Sequence, residues 1–419
     1  MGTLESMMAT CRPEIAGILE NALGGGEIGV SEGELLFEVT GPDLAAVIAA
    51  ADHLRRSRGS RVTYVVNRNI NFTNVCVKRC GFCAFSRGHR SEQGYFLPVE
   101  EVVWRAKEAF DLGATEVCVQ AGLPPRMRGS LYIDLCRAIK AEVPGIHVHG
   151  FSPEEVLYGA ERSGCTVEDY LAALKDAGVG SLPGTSAEIL TDEVRERISP
   201  GRISTAQWVE VITTAHRLGI ATTSTIMYGH VETARHCAEH IALIREVQKR
   251  TGGITEFVPL SFIHSEAPMY RKSLVPGIRT GATDDGVLRM YAVSRLMLNG
   301  CIHHIQASWV KQGLPLAQAC LAAGADDLGG TLMNESISTS AGAGHGQFVR
   351  PRDLRALARA AGFVPAERST TYAILREFQR ESETPDPLDL IDDEGRFGSY
   401  GALIASQEFR FKNASSSAL

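Results

Sequence analysis

The feature that most constrains the fold is the alternation of short strand-like runs with amphipathic helices, from Tyr64 to Gly329. Strands joined through helices run parallel, because each helix returns the chain to the same end of the sheet. Eight such strands predict an α/β fold, a closed (β/α)8 barrel of the TIM type. The predicted strands are Tyr64–Asn71, Thr115–Gln120, Ile146–Phe151, Val179–Leu182, Ala221–Tyr228, Glu256–Phe262, His303–Ala307 and Asp326–Gly329.

Glycines mark the ends of several helices between these strands. Gly readily adopts the left-handed conformation in which many helices end. We therefore expect Gly113, Gly178, Gly219, Gly300 and Gly324 to end helices. The predicted helices are Val99–Leu112, Leu131–Val143, Val167–Ala177, Thr205–Leu218, Arg235–Arg250, Asp284–Leu298 and Leu314–Ala323.

The sequence on either side of the barrel predicts two additions. Helical apolar spacing over Pro13–Leu23 and Pro42–Arg56 predicts an N-terminal helical cap. A helix at Arg352–Ala361, a β-like turn and a polar tail, residues 413–419, predict a C-terminal extension with a disordered end. The predicted boundaries are 1–60 for the cap, 61–345 for the barrel and 346–419 for the extension.

The composition is that of a large enzyme rather than a small metal module. The chain has 419 residues, of which 44% are hydrophobic and 22% charged, which is enough for a large core. Its net charge of -7 gives no basic surface for nucleic acid or an anionic membrane, so neither is an expected partner. The sequence lacks an apolar run of membrane-spanning length and a secretory signal pattern, so we expect a cytoplasmic protein.

Cys76, Cys80 and Cys83 follow the first predicted strand with the spacing C-x3-C-x2-C. A structural zinc site normally has four ligands. A four-iron cluster held by three thiolates keeps one iron open for another ligand, and this spacing predicts such a [4Fe-4S] cluster. The alternative is a zinc site completed by His89, in a protein without catalytic activity.

The cysteine spacing, with Phe82 directly before the third cysteine, resembles the signature of radical S-adenosyl-L-methionine (SAM) enzymes. The resemblance implies that the amine and carboxylate of SAM chelate the open iron, with Phe82 close to the adenine. It also implies that one electron from the cluster splits SAM into methionine and a 5'-deoxyadenosyl radical. Because such a radical attacks nearby C–H bonds, we expect the loop Glu92–Tyr95 to shield the cluster.

A narrower resemblance covers about residues 66–372. The segments Asn67–Cys76 and Cys83–Phe85 are similar to enzymes that build deazaflavin and menaquinone precursors. Later segments resemble the tyrosine-using subunit of F0 synthase, a family of 5-amino-6-(D-ribitylamino)uracil–L-tyrosine 4-hydroxyphenyl transferases. These segments are His147–Pro153, Leu182–Leu190, Met227–Val231, Thr255–Leu260, His304–Val310, Asp327–Met333 and Gly342–Gly346.

This family resemblance implies a substrate pair and two partners. The radical would abstract hydrogen from L-tyrosine, the Cα–Cβ bond would break, and the 4-hydroxybenzyl fragment would join 5-amino-6-(D-ribitylamino)uracil. An electron donor would be needed, and a second radical SAM subunit would close the deazaflavin ring in coenzyme F-420 biosynthesis. The alternative is a menaquinone-pathway enzyme, either aminofutalosine synthase or dehypoxanthine futalosine cyclase. Ala121, Lys78 and Arg79 depart from the family pattern.

Cofactor-binding residues are expected at the carboxyl ends of the strands, where such barrels bind their ligands. Gln120 and Gly122 follow the second strand, where backbone carbonyls could accept hydrogen bonds from the SAM ammonium. Glu188 could bind the SAM ribose or the substrate amine, or instead interact with a helix dipole. Arg202 could bind a carboxylate or lie at the surface.

His230, Glu256 and His264 are the predicted catalytic residues. Proton transfer from the tyrosine phenol or the uracil amine suits a histidine or carboxylate with a near-neutral pKa. His147 and His149 lie two residues apart on one strand and so point to the same face. They could bind the polar acceptor or be ordinary core histidines.

Overall fold

The first barrel strand bends at Val66 and consists of β1 (Arg61–Val65) and β2 (Asn67–Ile70). The structure is a computed structural model that describes residues 2–379 and 384–413. β2 begins a sheet of seven parallel strands whose spatial order follows the chain. The sheet continues with β3 (Glu116–Val119), β4 (His147–His149), β5 (Val179–Leu182), β6 (Ala221–Tyr228), β7 (Ile254–Ser261) and β8 (His304–Ile305).

One further strand, β9 (Asp327–Gly330), closes the barrel between β8 and β1. It pairs in parallel with β1, and Thr63 lies opposite Asp327. On the β8 side, the Asp326 N–H donates to the Ile305 carbonyl at 3.1 Å and the Ala307 N–H donates to the Asp327 carbonyl at 2.7 Å. With β1 and β2 counted as one strand, eight strands surround the lumen. The predicted α/β barrel is confirmed.

Four helices precede the barrel, where two were predicted. The helix Val30–Glu38 packs on the later helix Ala234–Thr251, whose Arg245 guanidinium donates to the Ile28 carbonyl at 2.7 Å. Arg55 in α4 donates to the Ala325 and Arg61 carbonyls at 3.3 and 2.5 Å. The added helices therefore attach firmly to the barrel. The four are α1 (Gly2–Met8), α2 (Pro13–Leu23), α3 (Val30–Glu38) and α4 (Gly41–Arg56).

Helices cover the outside of the barrel, and all seven predicted ones are present. Gly113, Gly178, Gly219, Gly300 and Gly324 have positive φ, as predicted for helix ends. No helix of the described residues is long and apolar enough to cross a membrane. The helices are α5 (Val99–Asp111), α6 (Leu131–Glu142), α7 (Pro153–Ser163), α8 (Val167–Asp176), α9 (Asp192–Ile198), α10 (Thr205–Arg217), α11 (Ala234–Thr251), α12 (Pro268–Arg271), α13 (Asp284–Met297), α14 (Trp309–Gln312), α15 (Leu314–Leu321) and α16 (Ile337–Ser340).

The C-terminal extension begins with α17 (Pro351–Ala360) and β10 (Val364–Arg368). β10 pairs in parallel with β1, and β11 (Ile374–Glu377) pairs antiparallel with β10, so the predicted β-like turn is a hairpin joined to the barrel.

The chain then passes α18 (Tyr400–Ala405) and covers the segment that follows the three cysteines. The Tyr400 hydroxyl donates to the Phe85 carbonyl at 3.0 Å, and the Phe96 N–H donates to the Phe409 carbonyl at 2.8 Å. Of the predicted disordered tail, residues 414–419 lie outside the described residues.

Candidate functional site

A cavity of about 420 Å³ occupies the barrel lumen. It extends from the loop that carries the three cysteines, at the carboxyl ends of the strands, to charged side chains near their amino ends. Eight of the ten predicted site residues line it: Cys76, Cys80, Cys83, Phe82, Gln120, Gly122, Glu188 and Glu256. The structure therefore places most of the predicted site around one cavity.

Backbone hydrogen bonds to distant segments hold the cysteine loop, residues 76–83. The Gly81 N–H donates to the Ile198 carbonyl at 2.8 Å, and the Gly81 carbonyl accepts from the Met269 N–H at 2.7 Å. An added Cβ at Gly81 would lie 2.8 Å from the Met269 Cβ, so this approach needs glycine. The Cys76 N–H donates to the Arg87 carbonyl at 3.0 Å. The barrel frame thus fixes the loop without using its thiols.

The three thiols fit an iron-sulfur cluster. Burial raises the pKa of Cys76 and raises that of Cys80 to about 12, because low-dielectric surroundings disfavour an isolated thiolate. A bound metal cluster would supply the positive charge that stabilises the thiolates. In the described part of the chain, no three His, Cys, Asp or Glu side chains are arranged to hold a single metal ion.

Arg202 links the cysteine loop to Glu188 and Glu154. Its guanidinium donates to Glu188 at 3.0 Å and to Glu154 at 3.1 Å, and one nitrogen lies 3.6 Å from the Cys80 Sγ. The guanidinium also lies 5.8 Å from the centre of the Phe82 ring. Arg202 is therefore a buried part of the site rather than a surface residue.

Glu188 is a cavity residue and not a helix-dipole carboxylate. It lies before α9, which begins at Asp192, and lines the cavity. Arg195 approaches its other carboxylate oxygen at 3.4 Å. Hydrogen bonds from two arginines thus hold the Glu188 carboxylate at the cavity wall.

Gly122 lies against the backbone directly before the first cysteine. Its N–H donates to the Thr73 carbonyl at 2.9 Å, and an added Cβ would lie 2.4 Å from the Val75 carbonyl oxygen. The Gln120 carbonyl already accepts from the Asn71 side chain at 2.9 Å. Gly122 therefore positions the cysteine loop, and Gln120 contributes to the cavity wall.

We expect Gly122→Ala to displace the cysteine loop and lower iron occupancy. The new methyl group would push the Val75 carbonyl away, and such overpacking costs about 1–3 kcal/mol. The measurement is iron per chain after anaerobic reconstitution. Gly88→Ala is the matched control, since nothing lies within 4 Å of its added Cβ. Equal iron content in the two variants would contradict this role of Gly122.

Glu256 lies at the deep end of the cavity, near the amino end of β7, and not at the carboxyl ends of the strands. It accepts a hydrogen bond from the Tyr372 hydroxyl, and Arg368 approaches it at 3.5 Å. Burial raises the pKa of Glu256 to about 7. The positive charge of Arg368 lowers the pKa of Glu256 and so opposes this rise. Arg368 also pairs with Asp327, to which it donates at 2.5 and 3.0 Å.

His149 lines the cavity, whereas His147 is not among its lining residues. Both imidazoles lie 2.7 Å from the Ser181 hydroxyl. Burial lowers the pKa of His149 to about 4, so this ring is neutral at physiological pH. The two histidines are therefore partnered, and His149 presents a neutral polar edge to the lumen.

The structure does not bring His230 and His264 to the cavity. The His230 ring donates to the Met227 carbonyl at 2.9 Å and accepts from the Val231 N–H at 2.8 Å. His264 stacks edge-on with Tyr270, with ring centres 4.7 Å apart. Neither histidine is among the lining residues, so their predicted catalytic role stays a prediction.

Sequence reasoning missed many polar residues of the cavity, among them Asn69, Asn71, Lys311 and Arg368. The side-chain oxygens of Asn69 and Asn71 are buried and have no hydrogen-bond partner in the described residues. Asn69 in β2 and Asn71 directly after it alternate with Ile70, which is a signal that both face one side. No local pattern marks Arg368, which reaches the lumen from the C-terminal extension.

The fold and the cysteine loop define a radical SAM enzyme. The model of the Radical SAM superfamily matches residues 70–244, and members of this superfamily bind a [4Fe-4S] cluster and SAM. Among solved structures, methylornithine synthase (PylB) aligns with a TM-score of 0.65 at 17% identity, over 83% of this chain and 97% of that one. The FeFe-hydrogenase maturase HydG from Carboxydothermus hydrogenoformans aligns with a TM-score of 0.66 at 17% identity, over 88% and 83%.

Sequence comparison narrows this class to one family. The model for the CofH/MqnC C-terminal region matches residues 251–381. The chain is 52% identical to the 5-amino-6-(D-ribitylamino)uracil–L-tyrosine 4-hydroxyphenyl transferase of Methanothermobacter thermautotrophicus, over 80% of this chain and 91% of that one. It is 48% identical to the FO synthase of Mycobacterium tuberculosis, over 83% of this chain and 40% of that protein. The chain belongs to the family of these 4-hydroxyphenyl transferases, which confirms the resemblance and disfavours the menaquinone and zinc alternatives.

Proposed function

We propose that this protein transfers the 4-hydroxybenzyl group of L-tyrosine to 5-amino-6-(D-ribitylamino)uracil. The products would be 5-amino-5-(4-hydroxybenzyl)-6-(D-ribitylimino)-5,6-dihydrouracil, 2-iminoacetate, 5'-deoxyadenosine and methionine. The observation that carries the proposal is the single cavity that joins the cysteine loop to a polar lumen. This cavity lies in a chain that is 52% identical to a relative named 5-amino-6-(D-ribitylamino)uracil–L-tyrosine 4-hydroxyphenyl transferase.

The cysteine end of the cavity would hold the cofactors. Cys76, Cys80 and Cys83 would ligate the cluster, and Phe82 and Glu188 line the space beside them where SAM would lie. When bound, the reduced cluster and SAM supply a carbon radical that removes a hydrogen atom from the substrate. The C-terminal segment around Tyr400 covers Phe85, directly after the cysteine loop, and would exclude water and other hydrogen donors.

Asn69 in β2 and Asn71, which directly follows this strand, would recognise the acceptor. Asn69 and Asn71 present buried, unpartnered amide oxygens at the cavity wall. An unpaired buried acceptor costs free energy, so a ligand donor at this position is favourable. The uracil N–H groups and the ribityl hydroxyls of the acceptor are such donors.

Glu256 would accept the proton that leaves during the transfer. A carboxyl whose pKa is about 7 is partly ionised at neutral pH and can gain a proton without a large cost. Arg368 and Tyr372 hold this carboxyl in place at the deep end of the cavity. The phenol of L-tyrosine and the amine of the acceptor are the proton sources.

The proposed reaction needs two partners. A low-potential electron donor would reduce the cluster, and a second radical SAM subunit would close the deazaflavin ring of the adduct. The match covers 40% of the FO synthase of Mycobacterium tuberculosis, so the rest of that relative is long enough for a second unit.

The test is an anaerobic reaction of the reconstituted protein with dithionite, SAM, L-tyrosine and the aminouracil, followed by mass spectrometry. L-Tyrosine labelled with ¹³C at Cβ should label the adduct, whereas label at Cα should appear in the two-carbon product. L-Phenylalanine in place of L-tyrosine is the control. Formation of 5'-deoxyadenosine without the adduct would mean a radical SAM enzyme with another substrate and would overturn the proposal.

A further inference from the structure

Four cationic side chains of the described residues line the lumen cavity, and three of them are neutralised by carboxylates. The fourth, Lys311, makes no hydrogen bond or ion pair through its ammonium group with any described residue. Lys311 is half-buried, and a charge without a partner at the wall of a cavity is unfavourable, so its presence there points to a ligand. The three paired cations are Lys78 with Glu154 at 3.0 Å, Arg202 with Glu188 at 3.0 Å and Arg368 with Asp327 at 2.5 Å.

The backbone around Lys311 is firmly held. The Lys311 N–H donates to the Ser308 carbonyl at 3.0 Å, and the buried Trp309 side chain donates to the Gly330 carbonyl at 2.9 Å. α14 is therefore anchored to β9, and the lysine starts from a rigid base at the cavity wall.

Glu335, the carboxylate whose charge acts on Lys311, does not hydrogen-bond to it in the described residues. Burial lowers the pKa of Lys311, and the charges of Glu335 and Cys83 oppose that shift. The Glu335 oxygens, however, accept from the Ser338 N–H at 2.9 and 3.0 Å and from the Thr339 N–H at 3.4 Å. Glu335 thus supports the start of α16, and the Lys311 ammonium remains available to a ligand.

Lys311 lies close enough to Cys83 of the cysteine loop to feel its charge, but on the opposite side of the barrel from Gly122 and Glu188. It follows β8, whereas Gly122 and Glu188 follow β3 and β5. Around a closed barrel of eight strands, β8 is three strands from β3 in one direction and three from β5 in the other. The second substrate, rather than SAM, would lie against this side.

We propose that Lys311 binds the α-carboxylate of the amino-acid substrate and so positions its Cα–Cβ bond beneath the cysteine loop. This inference rests on the proposed function, in which that substrate is L-tyrosine. The acceptor carries neither a carboxylate nor a phosphate, so the amino acid supplies the complementary anion. A lysine–carboxylate contact in an enclosed site is a strong, charge-assisted hydrogen bond. The two-carbon product keeps this carboxylate and would stay at Lys311 while the hydroxybenzyl group moves.

The experiment is anaerobic calorimetry on the cluster-containing protein with SAM present and no reductant, so that binding occurs without turnover. Lys311→Met should weaken L-tyrosine binding by about 10- to 100-fold, whereas Lys311→Arg should retain most of it. Tyramine, which lacks the carboxylate, should bind the wild type weakly and Lys311→Met equally weakly. Lys107→Met, on an exposed helical surface, is the matched control.

The results that would overturn the role of Lys311 differ from the result that would contradict the proposed function. Unchanged L-tyrosine affinity in Lys311→Met would overturn the role of Lys311, as would an equal loss for tyramine. Loss of SAM binding in place of L-tyrosine binding would also overturn it. If Lys311→Met fails to fold, equal binding of L-tyrosine and tyramine by the wild type would overturn it instead. Absence of L-tyrosine binding by the wild type would instead contradict the proposed function.

Discussion

Replacing Cys80 and Cys83 together with alanine should abolish both cluster binding and turnover while leaving the barrel folded. An iron-sulfur cluster needs its thiolate ligands, and one remaining cysteine cannot hold it. The loop is held through backbone groups, such as the Gly81 N–H and carbonyl, which the substitutions keep. We expect less than one iron per chain, no 5'-deoxyadenosine and a near-native circular dichroism spectrum.

The matched control for this variant is Cys165→Ala, because Cys165 is an exposed thiol outside the cavity. It should bind iron and turn over like the wild type. Turnover by the double variant would contradict the radical mechanism. Loss of the native spectrum would instead show that the thiols support the fold.

Replacing Arg368 with methionine should destabilise the protein by about 3–5 kcal/mol, because removal of one partner leaves buried carboxylates without a counter-charge. Arg368 is shared between Asp327 and Glu256, both deeply buried. Urea unfolding under anaerobic conditions measures the effect. The exposed pair of Arg217 and Glu168 provides the control, since Arg217→Met should cost at most about 1 kcal/mol.

The loss of folding stability in Arg368→Met should also depend on pH. The folded pKa of Glu256, about 7, exceeds its ordinary value of 4.5, so the folded state binds more protons between these values and stability falls as pH rises through that window. Without Arg368, the pKa of Glu256 rises further and the window extends upwards. The stability difference between variant and wild type should therefore be larger at pH 8 than at pH 5. A difference independent of pH would contradict the coupling of Arg368 to Glu256.

The barrel and the cysteine loop were predictable because their signals are local. Strand and helix periodicity, glycine helix ends and the spacing of Cys76, Cys80 and Cys83 each depend on residues near one another in the chain. The position of a catalytic side chain relative to the cavity is not a local signal. His230 follows a strand end, as a rim residue would, but the Met227 carbonyl and the Val231 N–H occupy its ring nitrogens.

The sequence by itself determined that this protein is an α/β barrel with a three-cysteine loop at the carboxyl end of its first strand. Only the tertiary structure decided which polar groups share the lumen. Arg368 meets Glu256 across 112 positions of sequence, and only the folded chain shows that Lys311 lacks a partner among the described residues while the other cavity cations are paired. Periodicity reports local backbone geometry, whereas charge pairing depends on distances that exist only after the barrel has closed.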